Sequence, residues 1–187
     1  MKHSSDIMWM LNISVFLIML NACAVQPQQM MVQSLSIPRI SQDSSMYHSI
    51  VIAKVGGGEE TYPLLTSKVG NKELEDALRE SMRQYGFLSN SDVDAPYRLE
   101  VFLIDIKRPV SGLTMIVHSS IRYKLISNVD GNILYDDIIT ASDKANWDET
   151  FFGGQRITIA TERSIRANIT VFMERLYLLK GSQPTPR

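Results

Sequence analysis

The sequence is poor in the residues that build metal sites, with one cysteine and three histidines among 187 residues. The histidines are His3, His48 and His118, and no His or Cys pair stands at the spacing of zinc ligands. We therefore expect no metal, and no other residue pattern indicates a cofactor.

The sequence also lacks an excess of charge of either sign. Nineteen Lys and Arg residues stand against twenty Asp and Glu residues, which gives a formal net charge of −1. Nucleic-acid binding needs a clustered basic surface, and the sequence has no such cluster. We therefore expect no nucleic-acid partner.

Catalytic motifs are missing as well. The stretch VGGGEE at residues 55–60 lacks the Gly-Lys-Ser/Thr of a phosphate-binding loop, and no Gly-x-Ser-x-Gly nucleophile elbow occurs. Acidic residues that are close in sequence, such as Asp92 and Asp94, do not by themselves create two carboxylates facing each other across a cleft. The sequence therefore predicts a protein that is not an enzyme.

No apolar run is long enough to cross a membrane. The run at residues 7–20 has about 14 residues and is broken by Asn12 and Ser14, whereas a spanning helix needs roughly 20. It follows Lys2 and precedes the small residue Ala22, which is typical of a secretory signal peptide. We predict a signal peptide over residues 1–22.

Two cleavage patterns compete at the end of this signal. Ala22-Cys23-Ala24 fits cleavage after Ala24, which would release a soluble periplasmic protein without its cysteine. The sequence LNAC at residues 20–23 resembles the bacterial lipobox, whose cysteine becomes the acylated N-terminal residue. A lone cysteine inside a secreted domain would bring an unpaired thiol into an oxidising compartment. We therefore favour lipidation of Cys23, which labelled palmitate would detect.

The residue after the cysteine bears on localisation. Ala24 stands where sorting rules resembling those of enteric bacteria place Asp for retention at the inner membrane. The resemblance implies an anchor in the outer membrane with the protein facing the periplasm. Stable attachment requires two or more acyl chains, and the lipobox family supplies them.

Residues 23–47 are rich in Gln and Ser, contain Pro27 and Pro38 and show no sustained apolar period. They are predicted to form a flexible tether behind the lipidated cysteine. The alternative is an added edge strand, with apolar side chains from Val32, Leu35 and Ile37.

The folded domain is predicted to span residues 48–180 and to open with a strand over residues 49–55. A first helix follows, with Asn71 as its expected cap and Gly86 just past its end. Its predicted buried stripe consists of Leu74, Ala77, Leu78, Met82 and Tyr85. A central strand over residues 97–107 comes next, and its second half is apolar on both faces, which favours cover on both sides.

The clearest pattern is the alternation over residues 113–125, where odd positions other than Ser119 are apolar and even positions other than Ile116 are polar. A strand over residues 133–141 also has its apolar side chains at odd positions, namely Ile133, Tyr135 and Ile139. A three-residue loop with left-handed Gly131 would pair odd positions with odd positions, so we predict this hairpin. A last helix over residues 157–179 carries the apolar stripe Ile165, Ile169, Phe172, Leu176 and Leu179.

The predicted order is β-α-β-β-β-α. It indicates an α+β fold, a two-layer sandwich in which two helices cover one face of a mostly antiparallel four-stranded sheet. Residues 181–187, with Pro184 and Pro186, are predicted to form a short disordered tail.

Two loops are unusually apolar. The stretch TYPLLTS and the stretch NWDETFFGG can form a contact surface for a partner or an acyl chain, or they can fold under and seal the core. Their candidate contact residues are Tyr62, Leu64, Leu65, Trp147, Phe151 and Phe152.

Polar residues also recur on the last helix. Glu162 and Arg166 stand four residues apart in the order that favours an ion pair, and Asn168 lies near them. The pattern indicates a surface pair and a polar junction, not a proton relay.

With a lipobox, a tether and this order of elements, the chain resembles small envelope lipoproteins of Gram-negative bacteria. The layout is similar to that of the lipopolysaccharide-assembly lipoprotein and of auxiliary lipoproteins of lipid-transport ABC systems, although only LNAC matches as a motif. The resemblance implies a non-enzymatic accessory subunit of an envelope protein complex, active in envelope assembly or lipid transport. Two alternatives stay open: a lipid- or glycan-binding lipoprotein with a pocket between helices and sheet, and an enzyme with an unrecognised site.

Overall fold

The computed structural model describes residues 25–34, 36, 38–59 and 68–179. Four strands form one sheet in the order β1-β2-β3-β4; β1 is parallel to β2, and the other pairs are antiparallel. The predicted α+β fold with a mostly antiparallel four-stranded sheet is confirmed, and a short third helix is added. The elements are α1 (Pro27–Met30), β1 (Ile50–Gly56), α2 (Asn71–Tyr85), β2 (Tyr97–Lys107), β3 (Met115–Ser127), β4 (Ile133–Ala145) and α3 (Gly153–Leu179).

The β3–β4 hairpin has the predicted register from Leu125 to Met115, but not beside its loop. Leu125 pairs with Tyr135, so odd positions face odd positions. Gly131 is left-handed as predicted, with a φ of 74°, but the predicted three-residue loop is wrong because the Ser127 N–H donates to the Asn132 carbonyl and Ile126 pairs with Ile133. A bulge at Leu134, and not the loop, gives the odd-with-odd pairing farther from the turn. Burial alternates along β3, so the odd side chains form one apolar face.

The two long helices cover that face. α3 packs on β3 and β4, and α2 packs on β1. The predicted stripe of α2 is buried, and Gly86 ends this helix with a φ of 83°. The N-cap of α2 is Gly70, one residue before the predicted Asn71, whose side-chain oxygen instead accepts a hydrogen bond from the Gly58 N–H at 2.7 Å.

α3 begins at Gly153, four residues earlier than the apolar stripe predicts. The reason is local: the Arg156 guanidinium bonds to carbonyls of the preceding loop and holds the first turn in place. Two glycines that usually interrupt a helix therefore adopt helical geometry here. The stripe residues Ile165, Ile169, Phe172 and Leu176 are fully buried.

The segment predicted as a tether packs on the domain at several points of its described part. The Val32 N–H donates to the buried Ser81 hydroxyl at 3.0 Å, and the Ile40 N–H donates to the Tyr85 carbonyl at 3.0 Å. No strand precedes β1 among the described residues, and Leu35 and Ile37 of the alternative edge strand lie outside them. The folded unit therefore includes this segment, through buried Val25, Met30, Val32, Ile40 and Met46.

The remaining predicted boundaries, those of the signal peptide and of the tail after residue 180, lie outside the described residues. Within the described ranges, no helix is both long enough and apolar enough to cross a bilayer.

Candidate functional site

The structure describes only part of the predicted contact set. Cys23 and the loop residues Tyr62, Leu64 and Leu65 lie outside the described residues. The other three are exposed side chains in the connection from β4 to α3, with exposed fractions of 54% for Trp147, 86% for Phe151 and 71% for Phe152. They do not seal the core, and their contact with a partner stays a prediction.

A second loop adds to this surface. The connection from β2 to β3 carries Val110, which is fully exposed, and Leu113, which is 74% exposed. We call the five side chains the apolar tip: Val110, Leu113, Trp147, Phe151 and Phe152. Sequence reasoning missed Val110 and assigned Leu113 to the buried parity of the following strand, although that strand begins only at Met115.

Arg156 joins the two loops of the apolar tip. One guanidinium nitrogen donates to the Thr150 carbonyl at 2.8 Å and to the Phe151 carbonyl at 3.3 Å. The other donates to the Gly112 carbonyl in the β2–β3 connection at 3.4 Å. A single side chain near the start of α3 therefore fixes both loops against each other.

Farther along α3, Glu162 and Arg166 hold the N-terminal segment. The Glu162 carboxylate accepts a hydrogen bond from the Gln26 backbone N–H at 2.8 Å, and the Arg166 Nε–H donates to the Gln29 carbonyl at 2.9 Å. Glu162 is only 7% exposed. The predicted surface ion pair is therefore wrong, because both side chains reach across to the backbone around α1. We call these two contacts the N-terminal clamp.

The environment of Glu162 changes its acidity. Burial raises the pKa of its carboxyl above the usual 4.5, and the hydrogen bond from Gln26 and the positive charge of Arg166 offset only part of this effect. Between pH 4.5 and the raised pKa, the folded protein keeps a proton that the unfolded chain releases. This group therefore makes the folded state less stable as the pH rises through that window.

Glu162→Gln should remove this pH dependence, because the amide oxygen can still accept the Gln26 N–H and has no proton to lose. We expect the free energy of unfolding of the variant, relative to that of the wild type, to increase as the pH rises above 4.5. Urea unfolding of both proteins at several pH values measures this difference. If the free energies of unfolding of the two proteins differed by the same amount at every pH, the raised pKa of Glu162 would be contradicted.

A buried polar network lies between α3 and the hairpin. The Asn168 side-chain N–H groups donate to the Ile139 carbonyl at 2.8 Å and the Ser119 carbonyl at 3.0 Å. The Tyr123 hydroxyl donates to the Asn168 oxygen at 3.0 Å, and burial raises the pKa of this phenol. The Ser164 hydroxyl donates to the Ser119 oxygen at 2.9 Å. These contacts join helix to sheet, so we assign the network a structural role.

The opposite face of the sheet is polar with an apolar centre. The Arg122 guanidinium forms two hydrogen bonds with Asp136, at 2.7 and 2.8 Å, which lower the pKa of that carboxyl. Phe102 and Ile104, expected to be covered, are 51% and 47% exposed. The helices lie on the other face, so among the described residues the centre of this one stays open. We call its apolar residues the sheet-face patch: Phe102, Ile104 and Ile138.

A shallow groove of about 340 Å³ runs beside this patch. Its lining combines Phe102 and Ile138 with the charged side chains of Lys54, Glu100 and Lys124. An apolar centre with a charged rim is typical of a surface that contacts another protein. Among the described residues, no group of three or more His, Cys, Asp or Glu side chains has a geometry that could hold a metal ion.

No protein-family model and no curated protein matches this sequence. Solved structures nevertheless share its fold. The protein XCC0632 of Xanthomonas campestris, which carries the family designation DUF330, has a TM-score of 0.56 and 10% identity, over 81% of this chain and 93% of that one. The protein CT253 of Chlamydia trachomatis has a TM-score of 0.50 and 12% identity, over 72% and 99%.

A minor lipoprotein of Acinetobacter baumannii has a TM-score of 0.49 and 15% identity, over 71% of this chain and 94% of that one. At identities this low, the similarities to XCC0632 and CT253 show the fold alone. They assign no residue a role in this chain.

Proposed function

We propose that the protein is a non-enzymatic lipoprotein of the bacterial envelope. Cys23 anchors it in the outer membrane, its domain faces the periplasm, and it acts as an accessory subunit in envelope assembly or lipid transport. The observation that carries the accessory role is the sheet-face patch. Its half-exposed aromatic and aliphatic side chains stand at the centre of a charged surface, which suits a protein partner better than bulk water.

The membrane anchor and the contact with a partner rest on different features. The lipobox sequence LNAC at residues 20–23 supports the anchor. The N-terminal clamp supports a folded domain that begins directly behind it, because Gln26 is already bonded to α3. The sheet-face patch lies on the side of the sheet away from the helices, where none of the described residues covers it.

A small-ligand pocket between helices and sheet is the weaker alternative, because side chains occupy that space. The rings of Tyr123 and Phe172 stack with their centroids 4.0 Å apart and an interplanar angle of 5°. Asn168 fills the adjoining position with all of its polar atoms bonded. A ligand would have to displace both the ring stack and the polar network.

The anchor is tested with labelled palmitate in cells that express the full-length protein. The wild type should take up label and stay in the membrane fraction, whereas Cys23→Ala should take up none and become soluble. A wild type without label would support cleavage after Ala24 and remove the lipoprotein proposal.

The accessory role is tested with a photoreactive residue at Ile138 or, as the control, at Lys72 on the far side of the molecule. In intact cells, Ile138 should give one discrete cross-link to an envelope protein, and Lys72, with an 81% exposed side chain, should not. Phe102→Ser should abolish the Ile138 cross-link without changing the thermal unfolding midpoint. Equal cross-links from both positions would remove the sheet-face patch as the docking surface.

A further inference from the structure

We infer that the apolar tip is a second membrane contact, which lies at the head-group level of the bilayer that holds the Cys23 anchor. This inference rests on the proposed lipidation of Cys23. It assigns the tip to lipid and leaves the sheet-face patch for protein.

The first argument is the composition and the rigidity of the tip. Two aromatic rings, an indole and two aliphatic side chains project from neighbouring loops, each of them more than half exposed. Tryptophan favours the bilayer interface because its ring is apolar and its N–H is polar. Arg156 already holds the two loops together, so insertion would order little additional chain.

The second argument is the direction of the N-terminal segment. Going back along the chain from Gln29 to Gln26, the contacted residue on α3 moves from Arg166 to Glu162. The segment therefore runs parallel to α3. A continuation in the same direction would bring Cys23 towards the end of the helix from which the apolar tip projects.

The third argument is distance. Glu162 lies nine residues after Gly153, the first residue of α3, which is about 14 Å at 1.5 Å per residue. The three residues from Cys23 to Val25 span up to about 10 Å when extended. The acyl chains can therefore enter a bilayer within several ångströms of the level of the tip.

Charge limits the depth of insertion. The Glu149 carboxylate beside the tip is paired with Arg163 at 2.5 Å, but the same loop carries the exposed carboxylate of Asp148. Burying an ionised carboxylate in hydrocarbon is costly. We therefore expect the rings to reach the boundary between head groups and acyl chains and to go no deeper.

The chain has its own probe for this contact. Trp9 and Trp147 are the two tryptophans, and removal of the signal peptide leaves Trp147 as the only one. The full-length protein, matured in cells and shown by palmitate label to be acylated, is reconstituted into phosphatidylethanolamine–phosphatidylglycerol vesicles. Replacing these lipids with lipids brominated near the head of the acyl chain should reduce Trp147 fluorescence about twofold, because the indole lies at the interface.

A matched control moves the probe to the other surface. Trp147→Phe combined with Phe102→Trp places the only tryptophan at a position with nearly the same exposure, 51% against 54%. Its fluorescence should not respond to brominated lipid. A second variant, Phe151→Ser with Phe152→Ser, should reduce the quenching of Trp147 while leaving the palmitate label and the unfolding midpoint unchanged.

The outcomes separate the inference from the proposed function. A labelled, vesicle-bound protein with unquenched Trp147 would overturn the inference alone, and equal quenching at positions 147 and 102 would overturn it too. If a photoreactive residue at position 147 cross-linked to a protein in cells, and brominated lipid did not quench Trp147, the tip would be a protein contact and the inference would be wrong. An unlabelled protein would remove both the anchor and the basis of the inference.

Discussion

Asn168→Asp should lower the free energy of unfolding by about 3–5 kcal/mol, because it places an unpaired charge in the core. The substitution hardly changes shape, but it replaces two N–H donors by an oxygen that faces the carbonyls of Ser119 and Ile139. The Tyr123 hydroxyl alone can still donate to the new carboxylate. Urea unfolding followed by circular dichroism measures the loss.

The matched control is Asn71→Asp, the same chemical change at an exposed position. The Asn71 oxygen accepts a hydrogen bond from the Gly58 N–H, which a carboxylate can also accept, and it stands in the first turn of α2, where negative charge is favoured. This variant should be as stable as the wild type or slightly more stable. A loss at Asn168 no larger than at Asn71 would mean that the buried network contributes little to stability.

Phe172→Ala should destabilise the protein by about 3–5 kcal/mol through the cavity that it leaves. Phe172 is fully buried and stacks on Tyr123, whose hydroxyl belongs to the Asn168 network. The cavity would therefore loosen both the ring stack and the polar contact behind it. Thermal unfolding followed by calorimetry measures the change.

Phe151→Ala is the control, because the same side chain is removed from a position that is 86% exposed. The free energy of unfolding should change by no more than it does in ordinary surface substitutions, about 0.5 kcal/mol. If the two alanine variants were equally stable, Phe172 would not be a core residue, and the packing of α3 on the hairpin would need revision.

The sheet and the long helices could be predicted because their burial is periodic. Alternation over 113–125 is a direct consequence of a strand with one covered face, and it gave the hairpin register through to the pairing of Leu125 with Tyr135. The stripe ending in Tyr85 has the same physical origin in α2, where burial repeats with the turn of the helix. Such signals survive in the sequence because the neighbouring element is regular.

The N-terminal segment could not be predicted because its burial has no period. Val25, Met30 and Val32 are buried, but they belong to a short helix and to irregular chain that follows the shape of the domain. The N-terminal clamp was hidden for a related reason. The spacing of Glu162 and Arg166 fits a surface pair, and only the position of the backbone around Gln26 shows that the carboxylate is buried.

The apolar tip shows a different limit. The aromatic loop was visible in the sequence, since Trp147 and Phe151 stand outside any periodic pattern. Its partner loop was not visible, because the contact from Arg156 to Gly112 joins residues 44 positions apart. Sequence reasoning found half of the surface, and the fold supplied the other half.

The position of α1 between the two long helices has a mechanical consequence. Through Val32 the segment bonds to Ser81 on α2, and through Gln26 and the clamp it bonds to Glu162 on α3. A pull on the chain ahead of Val25 is therefore divided between both helices and, through them, between both ends of the sheet. If the first residues are held in a membrane and the sheet is held on a partner, tension between them would pass through α2, α3 and the sheet together.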